Sequence, residues 1–237
     1  MLLADRRAVV TGAGGNLGRS VVRAFLAEGA RLVAVTHSVA SNEMLADVVA
    51  SAGDKCTVLR ADVTREDEVA ELRGAAADRL GGVELLVNLV GGFQFGKNLW
   101  EIELADWDRM MDLNLRSAFL CCRAFVPGMI QGGYGRIVNV SSRAAFNIKS
   151  RRGAYNVAKS AVAALTQVLR EELKGTGVTA CAVAPGTIDT EPNRQSMPKA
   201  DPSKWVSPDH LAQGIAYLCS DAGGLFSGGV LPVYGDE

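Results

Sequence analysis

Two rhythms alternate along the chain. Short runs rich in Val, Leu and Ile read as strands, and between them apolar residues recur at helical spacing. Arg7–Thr11 (RAVVT), Arg31–Thr36 (RLVAVT), Cys56–Ala61, Glu84–Leu89 (ELLVNL), Gly135–Val140 (GRIVNV), Val178–Val183 and Val230–Val233 predict seven strands. The 3.6-residue period predicts helices over Asn16–Glu28, Asn42–Ala52, Glu66–Leu80, Leu104–Met129 and Gly153–Lys174. Gly29 and Gly53 close the first two, and Ser207-Pro208-Asp209 caps a further helix to about Leu218.

The strands are mostly continuous apolar runs, the pattern of strands covered on both faces. Strand–helix alternation then implies a parallel sheet with right-handed crossovers: an α/β, doubly wound (Rossmann) fold of about seven strands with helices on both faces. No repeat or linker divides it, so residues 1–237 are expected to form one domain. The long irregular stretch Thr187–Val206, rich in Pro, Ser, Asn and Asp, is read as a substrate lid at about 187–206, because long loops in compact domains are usually functional.

Composition narrows the function classes. With 48% hydrophobic and 22% charged residues, the chain is that of an ordinary globular protein and not a disordered one. A net charge of −1 gives no basic excess for nucleic acid or an anionic membrane surface. No apolar run approaches the ~20 residues that span a bilayer, and the first seven residues are too poor in apolar positions for a secretory signal. The five cysteines show no CxxC and have mostly apolar flanks, which predicts reduced, buried thiols. The expectation is a cytoplasmic chain. With only His37 and His210, no multi-His metal site is available and a Ser-His-Asp hydrolase is disfavoured; no metal is expected.

Candidate chemistry begins at the loop Thr11-Gly12-Ala13-Gly14-Gly15-Asn16-Leu17-Gly18, set between the first strand and the first helix. Glycines there permit a tight turn and close backbone approach to a pyrophosphate, and the helix N-terminus offers free N–H groups and partial positive charge. Many dinucleotide folds end the second strand in an Asp that binds the ribose 2′-hydroxyl and repels a 2′-phosphate. Here the chain reads Thr36-His37-Ser38. The carboxylate is missing, and no Arg or Lys precedes Arg19 in the loop. His37 and Ser38 suit either group, so NADP or NAD is expected, with a lean to NADP.

Tyr155 and Lys159 stand four apart in a helical segment and share a face. An ammonium near a phenol favours the phenolate, which suits Tyr155 to general acid–base work on a carbonyl or an alcohol. Ser142 adds a hydroxyl just past the fifth strand, at the end where doubly wound folds place ligands.

On these residues the chain resembles the short-chain dehydrogenase/reductase family over nearly its whole length. Thr11–Gly18 is similar to that family's TGxxxGxG, with Asn16 in place of the middle glycine. Asp62-Val63 resembles its adenine-contacting pair, and Asn88-Leu89-Val90-Gly91 its NNAG with two positions changed. Asn114 matches the helix asparagine, and Ser142, Tyr155 and Lys159 match the catalytic serine and YxxxK, with the family's thirteen-residue step from Ser142 to Tyr155. Pro185-Gly186-Thr187-Ile188-Asp189-Thr190 resembles PGxIxT, which holds the nicotinamide carboxamide. The resemblance implies an NAD(P)-dependent oxidoreductase acting on a carbonyl or secondary alcohol. Tyr155 would be the acid/base, Ser142 would orient the substrate oxygen, Lys159 would hold the nicotinamide ribose, and Asn114 would hold a water linking Lys159 to solvent. It also implies cofactor contacts from Gly12, Gly14, Gly15, Asn16, Leu17, Gly18, His37, Ser38, Asp62, Val63, Asn88, Gly91, Pro185, Gly186, Ile188 and Thr190. A narrower resemblance links Val90–Phe93 and Thr187–Trp205 to the dihydropteridine reductases, a divergent branch that lacks the serine and carries an Asp where His37 stands. A non-catalytic NAD(P)-binding regulator is the alternative from another class.

Three further expectations concern surroundings. Arg143, Lys149, Arg151 and Arg152 would form a basic rim able to attract an anionic substrate. Phe93, Phe95, Trp100, Phe146, Met197 and Trp205 would wall an apolar pocket. The helices Leu104–Met129 and Gly153–Lys174 are apolar over much of their circumference, which predicts a homo-oligomer, a tetramer or else a dimer, with its pairing across these helices.

Overall fold

The computed structural model describes residues 1–236. Its elements run β1 (Arg7–Thr11), α1 (Asn16–Ala27), β2 (Arg31–Thr36), α2 (Val39–Glu43), α3 (Ala46–Ala52), β3 (Cys56–Arg60), α4 (Glu66–Leu80), β4 (Leu85–Asn88), α5 (Leu104–Met111), α6 (Ser117–Gln131), β5 (Gly135–Val140), α7 (Gly153–Glu172), β6 (Val178–Pro185), α8 (Glu191–Ser196), α9 (Pro208–Leu218) and β7 (Val230–Val233). The strands form one sheet of order β3-β2-β1-β4-β5-β6-β7, parallel throughout. This is the doubly wound fold the alternation predicts.

The period of two along each strand sorts its side chains into two cores. Ala8 and Val10 of β1, with Leu32 and Ala34 of β2, pack beneath Val21, Val22 and Phe25 of α1 and Leu211 and Ile215 of α9. Val9, Val33 and Val35 face the other way, against Val69, Leu72 and Ala76 of α4 and Leu120, Cys121 and Phe125 of α6. Burial on both faces is why these strands read as unbroken apolar runs. All five cysteines are buried and unbridged. Among the described residues no helix is long and apolar enough to cross a membrane.

Three predicted elements are divided. The helix expected over Asn42–Ala52 is two short helices with a break at Met44-Leu45. Ser38 caps the first, its hydroxyl accepting from Ser41 N–H, and the chain turns so that Leu45 is fully buried. The long helix expected over Leu104–Met129 is interrupted by a π turn at Asp112–Arg116 and then runs through Pro127 to Gln131. The irregular stretch 187–206 contains α8, capped by Thr190, and a 3-10 turn at Pro202–Lys204. Its two ends are tied together: Val206 N–H donates to Thr187 O at 2.8 Å and Asp189 N–H to Val206 O at 2.8 Å.

Candidate active site

Strand order reverses between β1 and β4, and the crevice beyond their carboxyl ends is where such folds bind ligands. The glycine loop lies on one side. Gly12 has φ +67°, and a Cβ there would come within 3.1 Å of Val90 N. A Cβ on Gly18 would stand 2.2 Å from Gly12 O, so the first turn of α1 packs directly on the loop backbone. Gly14 lies under Ser41, which a Cβ would meet at 2.4 Å. Asn16, the departure from the glycine pattern, is the exposed first residue of α1 and is not among the residues with positive φ. A side chain fits there without strain. Gly15 is the N-cap; among the described residues no side chain caps this helix end, and its first turn holds no acid. The donors at this end therefore stay open to an anion.

The ends of β2 and β3 form the next wall. His37 is exposed, while the Ser38 hydroxyl is occupied in capping α2. Asp62 faces His37. Burial pushes the Asp62 carboxyl up, but hydrogen bonds from the Thr64 hydroxyl and amide, then the charge of His37, hold it below its ordinary value. Leu17 and Val63 turn their side chains into the two cores. Asn88 does likewise: its Nδ2 donates to Asn139 Oδ1 at 2.9 Å, and Asn139 continues to Thr166 at 3.0 Å. The Asn88 side chain thus belongs to a buried chain linking β4, β5 and α7, which sequence reasoning did not anticipate.

Gly91 is where the chain makes room for chemistry. A Cβ there would meet Asn114 Oδ1 at 2.8 Å and Lys159 Nζ at 3.2 Å. Asn114 sits in the π turn, a helix irregularity frequent at functional sites. Its Oδ1 accepts from Gly92 N–H at 3.2 Å, and its Nδ2 donates to Gly92 O at 3.1 Å and Met110 O at 2.9 Å. The side-chain amide thus fixes the loop at Gly91-Gly92 that follows β4. Lys159 is buried and donates to Val140 O at 2.8 Å, and burial lowers its pKa from 10.5 to about 8. The Ser141 hydroxyl donates to Lys159 O at 2.8 Å, a support the sequence did not signal.

One helical turn before Lys159 stands Tyr155, half-buried, with Ser142 near its phenol; the Ser142 hydroxyl accepts from Ala144 N–H at 3.1 Å. Burial raises the phenol pKa, opposed by the Ser142 hydroxyl and by the charge of Arg152. Arg152 adds a second cation that favours the phenolate, beside the Lys159 that the four-residue spacing places one turn on. Phe93 meets the Tyr155 ring edge-on at 4.9 Å and stacks on Phe95 at 5.6 Å.

The remaining expected residues lie along β6 and its loop. Pro185 ends β6 beside Val233, Gly186 N–H donates to Val233 O at 2.8 Å, Ile188 bridges Val206, and Thr190 caps α8. The expected aromatic wall divides. Phe93 stands at Tyr155 with Phe95 stacked on it, but Trp205 is buried at the foot of the 187–206 loop. Trp100 is 83% exposed and lines a different groove with Leu99, Ile148 and Val157 on the outer face of α7. Periodicity carries no information on which side of a loop an aromatic falls, so these two were grouped with the site wrongly.

A family model for short chain dehydrogenases matches residues 6–201. The chain belongs to the short-chain dehydrogenase/reductase family. An uncharacterised oxidoreductase of Staphylococcus aureus (strain MRSA252) is 30% identical over 91% of this chain and 91% of its own length. A short-chain type dehydrogenase/reductase of Picea abies is 32% identical over 99% and 93%. Among solved structures, gox2181 superposes with a TM-score of 0.92 at 26% identity over 98% of this chain and 95% of that one. A provisionally described gluconate dehydrogenase from Agrobacterium tumefaciens gives 0.89 at 30% identity over 98% and 95%. This short-chain dehydrogenase/reductase is accordingly an oxidoreductase, and NAD(P) is the cofactor usual in its family.

Proposed function

We propose that the chain interconverts a carbonyl compound and a secondary alcohol, with Tyr155 as general acid and base. The observation that carries this reading is the Tyr155 phenol set beside Ser142, whose hydroxyl favours the phenolate, one turn from buried Lys159. A binding protein has no use for that arrangement. In reduction, Tyr155 gives its proton to the substrate oxygen while Ser142 orients that oxygen; in oxidation Tyr155 takes the proton back. Lys159 holds the nicotinamide ribose, and the π turn with Asn114 fixes the wall around it. Bound NAD(P)(H) supplies or receives the hydride.

The residues present fit such a cofactor. The uncapped start of α1, free of acids, suits a pyrophosphate, and a Cβ at Gly12 or Gly18 would close the loop that receives it. At the adenosine ribose we favour NADP, because exposed His37 stands where a carboxylate would repel a 2′-phosphate. Seven parallel strands sharing two cores support one domain, and the tied ends of 187–206 support a lid closing over the crevice. Five unbridged cysteines support a reducing compartment, the cytoplasm.

A second copy of the chain is the partner we favour. Leu99, Trp100, Leu104, Phe119, Val157 and Val168 are all exposed, on or beside the helices α5, α6 and α7. Exposed apolar side chains along these three helices suit a two-fold pairing, giving a dimer or tetramer.

Turnover of ketones, secondary alcohols and quinonoid dihydropterin with NADPH, NADH and their oxidised forms tests the reading. Carbonyl or alcohol turnover supports it. Turnover confined to the dihydropterin would favour the pteridine branch, which rests only on Val90–Phe93 and the 187–205 loop. Cofactor binding without turnover on any substrate would favour a regulator.

A further inference from the structure

Four cations gather around the start of α7, where positive charge opposes the helix macrodipole. Three are engaged at the rim or out in solvent. Arg151 Nε donates to Gly96 O at 2.8 Å and its Nη2 reaches the same oxygen. Arg143 stands 5.7 Å from the centre of the Tyr234 ring, and Lys149 is exposed. Arg152 differs. It is half-buried, its guanidinium carbon lies 5.3 Å from the centre of the Phe93 ring, and that ring meets Tyr155 edge-on. No carboxylate among the described residues pairs with it; Asp106 is taken by Lys97 and Asp189 by Arg194.

The backbone holds this cation in place. Arg151 has φ +61°, a left-handed conformation unusual for a residue with a Cβ and typical of functional sites. Gly96, at φ +116°, donates its N–H to Arg151 O at 2.8 Å, and Lys97 bridges Arg152. The segment carrying Phe93 and Phe95 is thereby latched to the start of α7. A half-buried cation without a carboxylate, set over the ring that packs on the acid/base side chain, is a site prepared for an anion.

We propose that Arg152 determines specificity by seating an oxyanionic group of the substrate, a carboxylate or phosphate, so that the chain acts on a charged carbonyl or hydroxy compound. This rests on the carbonyl–alcohol reading above. The Phe93 ring lies between Arg152 and Tyr155 in this contact chain, so an oxyanion on the guanidinium would bring the rest of the substrate toward the phenol.

Two matched pairs test it: acetoacetate with acetoacetamide, and dihydroxyacetone phosphate with dihydroxyacetone. The readout is the ratio of kcat/KM for the charged member to that of the neutral one. A charge-assisted contact favours the charged member by about 10–100-fold, mainly through KM, and which pair shows it separates carboxylate from phosphate. In Arg152→Gln that ratio falls close to one, and Arg152→Lys keeps part of it. The pH profile of Arg152→Gln also moves to higher pH, because the charge that favours the phenolate is gone. A wild-type ratio near one in both pairs, or a full ratio retained in Arg152→Gln, overturns the assignment. If no member of either pair turns over, the hydride-transfer reading fails for these compounds. Calorimetric titration of acetoacetate and acetoacetamide into cofactor-saturated protein then decides on Arg152 alone. Selective binding of the acid that is lost in Arg152→Gln upholds the assignment, and equal binding of acid and amide overturns it.

Discussion

Replacing Lys159 by Met separates what this site does for chemistry from what it does to stability. Lys159 is 5% exposed and its ammonium has one protein acceptor, Val140 O at 2.8 Å. Burial lowers its pKa from 10.5 to about 8. At about 1.4 kcal/mol per pH unit, that gap corresponds to about 3 kcal/mol of differential stability. The sign follows from the proton count. Below a pH of about 8 the lysine is charged in the folded and unfolded chain alike, and folding bears the whole desolvation cost. Between about 8 and 10.5 the folded chain has lost the proton and the unfolded chain still holds it, so stability rises with pH. Above that window the lysine is neutral in both states and the cost is gone.

Methionine removes the cost at every pH but leaves the Val140 carbonyl without its donor, a loss of about 1–3 kcal/mol. At neutral pH the two nearly balance, with Lys159→Met more stable by about 0–2 kcal/mol. The wild type then gains on the variant by about 3 kcal/mol across the window from about 8 to 10.5. Urea unfolding of both proteins at several pH values reads this directly, since tyrosine titrations common to both cancel. Turnover should be lost in the variant. A stability difference that stays flat across the window would refute the reasoning, because it would mean the ammonium is not desolvated in the fold.

His37→Asp should weaken NADP binding far more than NAD binding, through short-range repulsion of the 2′-phosphate; equal weakening in fluorescence titrations would remove residue 37 from the ribose site. Sedimentation at micromolar concentration should show a dimer or tetramer, shifted toward monomer by Trp100→Glu together with Val157→Glu, whereas a wild-type monomer would refute the pairing across α5, α6 and α7. Amide hydrogen exchange across 187–205 should slow when cofactor saturates the protein, because a closing lid loses its openings; equal protection in both states would leave a static loop.

Much of the fold was legible because its signals are local. Two-sided burial wrote β1 and β2 as mostly apolar runs, and the ends of β1, β2 and β5 match the expectation residue for residue. What escaped was set by tertiary contacts that periodicity does not carry. The π turn at Asp112–Arg116 arises where the Asn114 amide binds Gly92 and Met110, and the break at Met44-Leu45 where Leu45 drops into the core. At the site, the four-residue step from Tyr155 to Lys159 marked one turn of α7, but neither the Lys159 bond to Val140 O nor the charge of Arg152 on the phenol was signalled by spacing. The Asn88–Asn139–Thr166 chain was invisible for a similar reason, since its three members lie on separate elements that only the folded sheet brings together.

The most direct test of the central claim is Tyr155→Phe. The substitution removes one oxygen from a half-buried ring that packs against Phe93, so the fold and cofactor binding should persist. Steady-state turnover on any carbonyl or alcohol the wild type accepts should fall by at least about 10²–10⁴-fold, the usual worth of a positioned acid or base. Cofactor affinity should change little. Near wild-type turnover in a variant that still binds cofactor would contradict the role of Tyr155 and, with it, the proposed reaction.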